Sequence, residues 1–223
     1  MEFLLPFIGV IAGAGIALLI NDHRSSGIKL LLAFSGAFLM ALSLFDLLPE
    51  VYEHLSPKRT GLLIMLGILL QIILEFFSKG AEHGHVHMKS SNKRLPVLLF
   101  ASLALHSFLE GFPLQAHQTL IFGVLIHKIP IALLLTSYLL QSGYTRPYIT
   151  GFILLFAIMT PLGTWVSILL PMSENLVYSI NALIVGIFLH ISSTIIFESG
   201  EGHKFNLTKL VAIVSGVAVA FLL

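Results

Sequence analysis

The sequence of 223 residues contains no cysteine, and Asp, Glu, Lys and Arg together make up only 10% of it. The absence of cysteine removes disulfides, thiolate metal ligands and cysteine nucleophiles, so any metal site must use imidazole, carboxylate or hydroxyl groups. The scarcity of charge excludes an ordinary solvated surface. With 12 basic residues against 11 acidic ones the formal net charge is +1, and there is no basic stripe of the kind a nucleic acid would require. What fills the sequence instead is apolar. Hydrophobic residues account for 57% and the mean hydropathy is +0.97, more than one soluble core of this length can use. The chain is expected to lie in lipid. Its first hydrophobic stretch follows Met1 and Glu2 with no basic region and no small-residue cleavage pattern, which reads as a retained span rather than a signal peptide.

A spanning helix takes roughly 20 apolar residues. Breaks at charge clusters and at Pro and Gly punctuation give spans at about 3–20, 28–48, 60–78, 95–116, 119–140, 147–170, 176–198 and 205–223. The expectation is an all-α integral membrane protein, an eight-transmembrane-helix bundle in which residues 1–223 form a single transmembrane domain. With the N-terminus outside, Arg24, Lys29, Lys79, Lys89, Lys93, Arg94, Arg146 and Lys204 fall in inner loops, against Lys58 and Arg59 in outer ones. That asymmetry places both termini outside. The loop 79–94 between spans 3 and 4 is then cytoplasmic, and it carries His83, His85 and His87 beside Glu82. Gly36-x-Phe38-Leu39-x-x-x-Ser43 in span 2 recurs as Gly186-x-Phe188-Leu189-x-x-x-Ser193 in span 7, which runs the opposite way. An inverted repeat of spans 1–3 and 6–8 around spans 4 and 5 would account for the match, although matches this short also arise by chance.

Ionisable groups at bilayer depth cost about 2.5–3.5 kcal/mol each on insertion scales, so each needs a partner or a purpose. In span 4, His106-Ser107-Phe108-Leu109-Glu110-Gly111 sets an imidazole and a carboxylate four residues apart on one helical face. Span 5 follows after a very short turn and places His127 at the same depth, ahead of Lys128 and Pro130. Two histidines and a glutamate suit Zn²⁺ and accept Fe²⁺, Co²⁺ or Ni²⁺, with at least one coordination position left for water or another group. A satisfied hydrogen-bond network between the two helices is the bland alternative. Lys128 would repel a bound cation; either it turns away or pairs with a carboxylate, or it fills the place of a second cation.

At the end of span 2, Asp46 and Glu50 bracket Leu47-Leu48-Pro49, with Glu53 and His54 just beyond; a negative vestibule there would concentrate cations. His190 in span 7, followed by Glu198 and His203, would lead an ion on toward His83, His85 and His87. A solvated helix end and a solvated linker are the plain readings of the same residues.

These motifs resemble the ZIP (zinc- and iron-regulated transporter-like) metal transporters over the whole length. Asp46-Leu-Leu-Pro-Glu50, His106-Ser-x-x-Glu110-Gly111, His127-Lys-x-Pro130 and the histidine-bearing loop all match that layout. The resemblance implies uptake of a divalent cation into the cytoplasm by alternating access, with Zn²⁺ first and Fe²⁺ or Mn²⁺ as alternatives. It makes His106, Glu110 and His127 the primary ligands and puts Ser107 where many members place a second-site ligand. Three departures point to one ion rather than two. Ile131 stands where the family commonly has an acid after the span 5 proline, span 6 offers Thr160-Pro161 without a carboxylate, and Lys128 stands where a second-site ligand is frequent.

The reading is therefore a multi-pass protein of the plasma membrane, or of the inner membrane of a bacterium, that moves a metal substrate. It uses no organic cofactor and is not an enzyme; its partners are divalent ions and lipid, and a homodimer is a compatible assembly. Two rivals remain from other classes. One is a membrane-embedded zinc hydrolase with Glu110 as base, and the other is a metal-binding or sensing relative that no longer transports.

Overall fold

Backbone amides and carbonyls find no partner in hydrocarbon, so an apolar run that enters a bilayer satisfies itself as a helix. The computed structural model describes residues 2–19, 26–78, 97–198 and 207–223, with every side chain except those of Ser26 and Glu198; among the described residues there is no β-strand. A 3-10 turn at Glu2–Leu4 opens into α1 (Leu5–Leu19). Next, α2 (Ser26–Leu42) passes through a π-helical turn at Ser43–Leu47 into α3 (Leu48–His54), and α4 is Pro57–Ser78. After these come α5 (Val97–Glu110), a 3-10 turn at Phe112–Gln115, α6 (Gln118–Gln141), α7 (Arg146–Leu169), α8 (Glu174–Glu198) and α9 (Leu207–Leu222). Among the described residues 7 helical runs are long and apolar enough to cross a membrane, and α9 is a shorter apolar helix of 16 residues.

The predicted spans are all present, with one boundary displaced. Span 2 was expected to end near residue 48, but the helical run continues to His54. Pro49 has no amide proton to offer Phe45, and the helix widens into the π turn, where Leu48 N–H reaches back to Ser43 O, before it resumes.

The helices sort into two groups. α1 packs along α6 and touches α7, while α7 packs on α5; α4 packs along α8, α9 along α2, and α2 on α8. Contacts of α2 with α6 and of α4 with α5 join the groups. Each close pair within a group is set by a glycine. A Cβ on Gly13 would lie 2.2 Å from Ile129 O, one on Gly163 1.9 Å from Phe108 O, one on Gly67 1.9 Å from Leu183 O, and one on Gly216 2.6 Å from Phe34 O. These backbones approach as closely as small residues permit, the packing mode that substitutes for the hydrophobic effect inside lipid. Across the seam between groups the contact is softer, since Gly123 of α6 meets the side-chain tips of Leu39 and Leu42 of α2.

Burial follows the same plan. In α6 67% of the spanning window is buried inside the protein, against 22% in α4, so α6 runs through the middle and α4 faces outward. Along α6, Leu120, Ile121 and Val124 join an apolar cluster with Leu42 and Phe188. Further on, Ile131, Leu135 and Leu139 join another with Leu103 and Phe156. His127 lies between these two apolar layers.

Candidate functional site

Helical spacing sets His106, Ser107 and Glu110 on the buried side of α5, and the compact 3-10 turn after Gly111 returns the chain as α6, which presents His127 and Lys128. His106 Nε2 lies 3.0 Å from Glu110 Oε1. One donor atom each from His106, Glu110 and His127 falls within 4.8 Å of the others, and all three residues are at most 1% exposed. Two imidazoles and a carboxylate that converge on one point can hold a divalent cation, with its remaining positions open to water or a further group. α7 fixes the end of α5 against them: Thr164 Oγ1 donates to Gly111 O at 2.7 Å, where the missing side chain of Gly111 lets Thr160 O approach. Span 6 thus braces the end of α5 through the Thr164 hydroxyl and the Thr160 carbonyl.

Lys128 takes the first of the two expected courses: it pairs with a carboxylate, and in doing so it lies beside the cluster. Its ammonium forms an ion pair with Glu110 Oε2, donates to Ser107 Oγ at 2.7 Å and stands 5.0 Å from the centre of the Phe156 ring. The residue is 1% exposed. A buried ammonium needs such partners, and here they are a carboxylate, a hydroxyl and an aromatic face. Ser107 is therefore occupied by Lys128.

Asp46 and Glu50 are both partly buried and each reaches a partner near the start of α6. Asp46 Oδ2 accepts a hydrogen bond from Thr119 Oγ1 in the first turn of α6, and Glu50 Oε2 lies 2.9 Å from His117 Nε2, at the residue that precedes α6. Both acids thus meet the start of α6, where unpaired amides favour negative charge. His190 belongs to a separate place: its Nδ1 faces Glu75 Oε2 of α4 at 3.6 Å. The side chain of Glu198, together with His203, His83, His85 and His87, lies outside the described residues.

The sequence reading passed over Glu75 and His117. A carboxylate inside an apolar span was signal enough for Glu75. His117 stands in a turn of Gln, Ala and Pro, and nothing in that context marks it until Glu50 is seen against it.

A family model described as ZIP zinc transporter matches residues 82–223, a stretch that contains His106, Glu110 and His127. The chain belongs to the ZIP zinc transporter family. Among curated ZIP relatives, Zinc transporter ZIP1 of Danio rerio is 30% identical over 100 residues, 42% of this chain and 33% of that protein. Zinc transporter ZIP1 of Bos taurus is 25% identical over 255 aligned residues, covering 89% of this chain and 78% of the relative. Zinc transporter ZIP1 of Homo sapiens is 23% identical over the same shares. The chain thus spans about a third of the Danio rerio protein it matches and over three quarters of the two mammalian ones. Its apolar helices and ZIP family membership make it an integral, multi-pass membrane protein.

Proposed function

We propose that this ZIP-family chain carries a divalent metal ion across the membrane by alternating access, through a single site made of His106, Glu110 and His127. The observation that supports the reading is the convergence of these three donor atoms within 4.8 Å, between apolar layers. No other group of three or more such ligands occurs among the described residues. The relatives are named zinc transporters, which makes Zn²⁺ the first cation to test, and His-His-Glu chemistry suits it.

Lys128 argues for one ion. Its ammonium balances Glu110 and engages Ser107, so a second cation beside the first would meet a fixed positive charge and lose a ligand. The same contacts weaken the hydrolase reading, because a carboxylate already shared by an ammonium and an imidazole is poorly placed to act as a base.

Movement between access states follows the seam. The metal ligands all ride on the group of α1, α5, α6 and α7, whose glycine contacts make it a rigid unit, while the opposite group meets it through side chains. The close pairs α1–α6 and α4–α8 exchange with α7–α5 and α9–α2 when spans 1–3 are interchanged with 6–8 and span 4 with 5, which supports the inverted repeat. The loop charges favour both termini outside; the family resemblance carries delivery to the cytoplasm through a plasma membrane or bacterial inner membrane, with His190, Glu198, His203 and the 79–94 histidines on the exit side.

The test is uptake of radiolabelled Zn²⁺ into proteoliposomes. Wild-type flux that disappears in His106→Ala supports the assignment, and flux unchanged in both His106→Ala and Glu110→Ala would sink it.

A further inference from the structure

At the end of the seam where α3 meets the start of α6, a second pair of metal-type ligands faces each other. Glu50 Oε2 and His117 Nε2 are 2.9 Å apart as an ion pair, and both atoms are shielded with no hydrogen bond to any third group. The spacing is close to the 3.0 Å between His106 Nε2 and Glu110 Oε1 in the deep cluster. The hydroxyl of Tyr178 on α8 lies within hydrogen-bonding reach of the Glu50 carboxylate. The Tyr178 ring stacks on His54 with centroids 3.8 Å apart and 16° between planes, and His54 Nδ1 lies 2.9 Å from Glu50 O. Glu50 is therefore positioned by neighbours rather than waving at a helix end.

We propose that Glu50 and His117 form a second binding site for a divalent cation, distinct from the deep cluster. Ligand atoms on tetrahedral Zn²⁺ lie at about 2.0–2.2 Å from the metal and so about 3.3 Å from each other. The pair needs to open by only a few tenths of an ångström to admit the ion between them. The neutral His117 ring binds through Nε2 with its proton on Nδ1, and Glu50 binds as the carboxylate. Glu50 keeps 32% of its side chain exposed and His117 12%, so water can complete the coordination. Four protein ligands would make a closed structural site; two make one that fills and empties readily.

The position gives the site its use. Glu50 belongs to one helix group and His117 to the turn that leads into the other, so a bound ion bridges the seam. Asp46 follows Glu50 inward by about one helical turn, and His127 lies ten residues beyond His117, about 15 Å along α6. A role as the first station for an ion rests on the transport reading, whereas the binding itself does not.

Equilibrium titration of the purified full-length chain with Zn²⁺ tests it, in a background where His83, His85 and His87 are alanine so that the loop adds nothing. Glu50→Gln combined with His117→Gln is expected to remove one equivalent and leave the one that His106→Ala combined with Glu110→Gln removes. Tyr178→Phe, which keeps the ring on His54, is expected to weaken the Glu50 equivalent several-fold and leave the deep one unchanged. Unchanged stoichiometry in the Glu50 and His117 double variant would overturn the site and leave the pair as a structural latch. If that variant lost both equivalents, Tyr178→Phe decides, and full affinity there overturns the proposal. A chain that binds at Glu50 and His117 but moves no Zn²⁺ into vesicles would sink the transport reading and leave the site standing.

Discussion

Lys128 of α6 donates to Ser107 of α5 at 2.7 Å, and the same ammonium meets Glu110. A built-in cation thus occupies the flank of the candidate metal site. Removing one partner of a buried ion pair strands the other at a cost of about 3–5 kcal/mol. Lys128→Met is therefore expected to lower the melting temperature and to make the loss recoverable with Zn²⁺, because the metal then supplies the charge that Glu110 lacks. Thermal melts with and without Zn²⁺ check this. A variant as stable as wild type in the absence of metal would show that Lys128 does not balance Glu110.

His106→Ala and His127→Ala each remove one of three donors, and Glu110→Gln removes the anionic charge of the third, from a site that has few to spare. Even residues that only orient a ligand shift metal affinity by about 10–100-fold, so losing a ligand should weaken Zn²⁺ binding by at least about tenfold. Calorimetric titration of each variant reads this directly. Three variants that all bound Zn²⁺ as tightly as wild type would leave the cluster as a hydrogen-bond network.

Ile131 stands where the ZIP resemblance leads one to expect an acid, and the structure puts it 1% exposed in an apolar cluster with Val10, Leu103 and Phe156. Ile131→Glu would bury a carboxylate with no partner in that cluster, which costs at least about 2 kcal/mol. The expected result is reduced stability with no gain in flux. Increased Zn²⁺ uptake by a normally stable Ile131→Glu protein would contradict it.

Contacts within a helix group and contacts across the seam predict different responses to added methyl groups. Gly13→Ala and Gly163→Ala place a Cβ against partner backbone, within 2.2 Å of Ile129 O and 1.9 Å of Phe108 O, and should lower stability by about 1–3 kcal/mol or more. Gly123→Ala meets only Leu42 Cδ1 at 2.9 Å and Leu39 Cδ1 at 3.3 Å, which rotamer changes can relieve. It should fold normally and slow uptake by roughening the seam. Melting curves beside flux assays separate these cases.

Much of this was legible before the fold was known. Apolar run length located every span, and the i, i+4 spacing of His106 and Glu110 with the short turn to His127 was enough to expect their convergence. What the sequence hid were relationships carried by distance in the chain. Glu50 and His117 are far apart in sequence, and Lys128 shows its sign but not its direction. Hydropathy also ended span 2 too early, because Pro49 and the acids around it look like a loop until the π turn carries the helix past them.

That π turn sets a phase. It holds one residue more than an α-helical turn needs, and each residue rotates a helix by about 100°. The face that α3 offers to α6 is therefore the product of a single extra residue within Ser43–Leu47. Deleting it would leave every acid of the motif in the sequence and swing Glu50 away from His117. In a comparison of related chains, a one-residue gap here would carry more functional information than an exchange of Asp for Glu on either side of it.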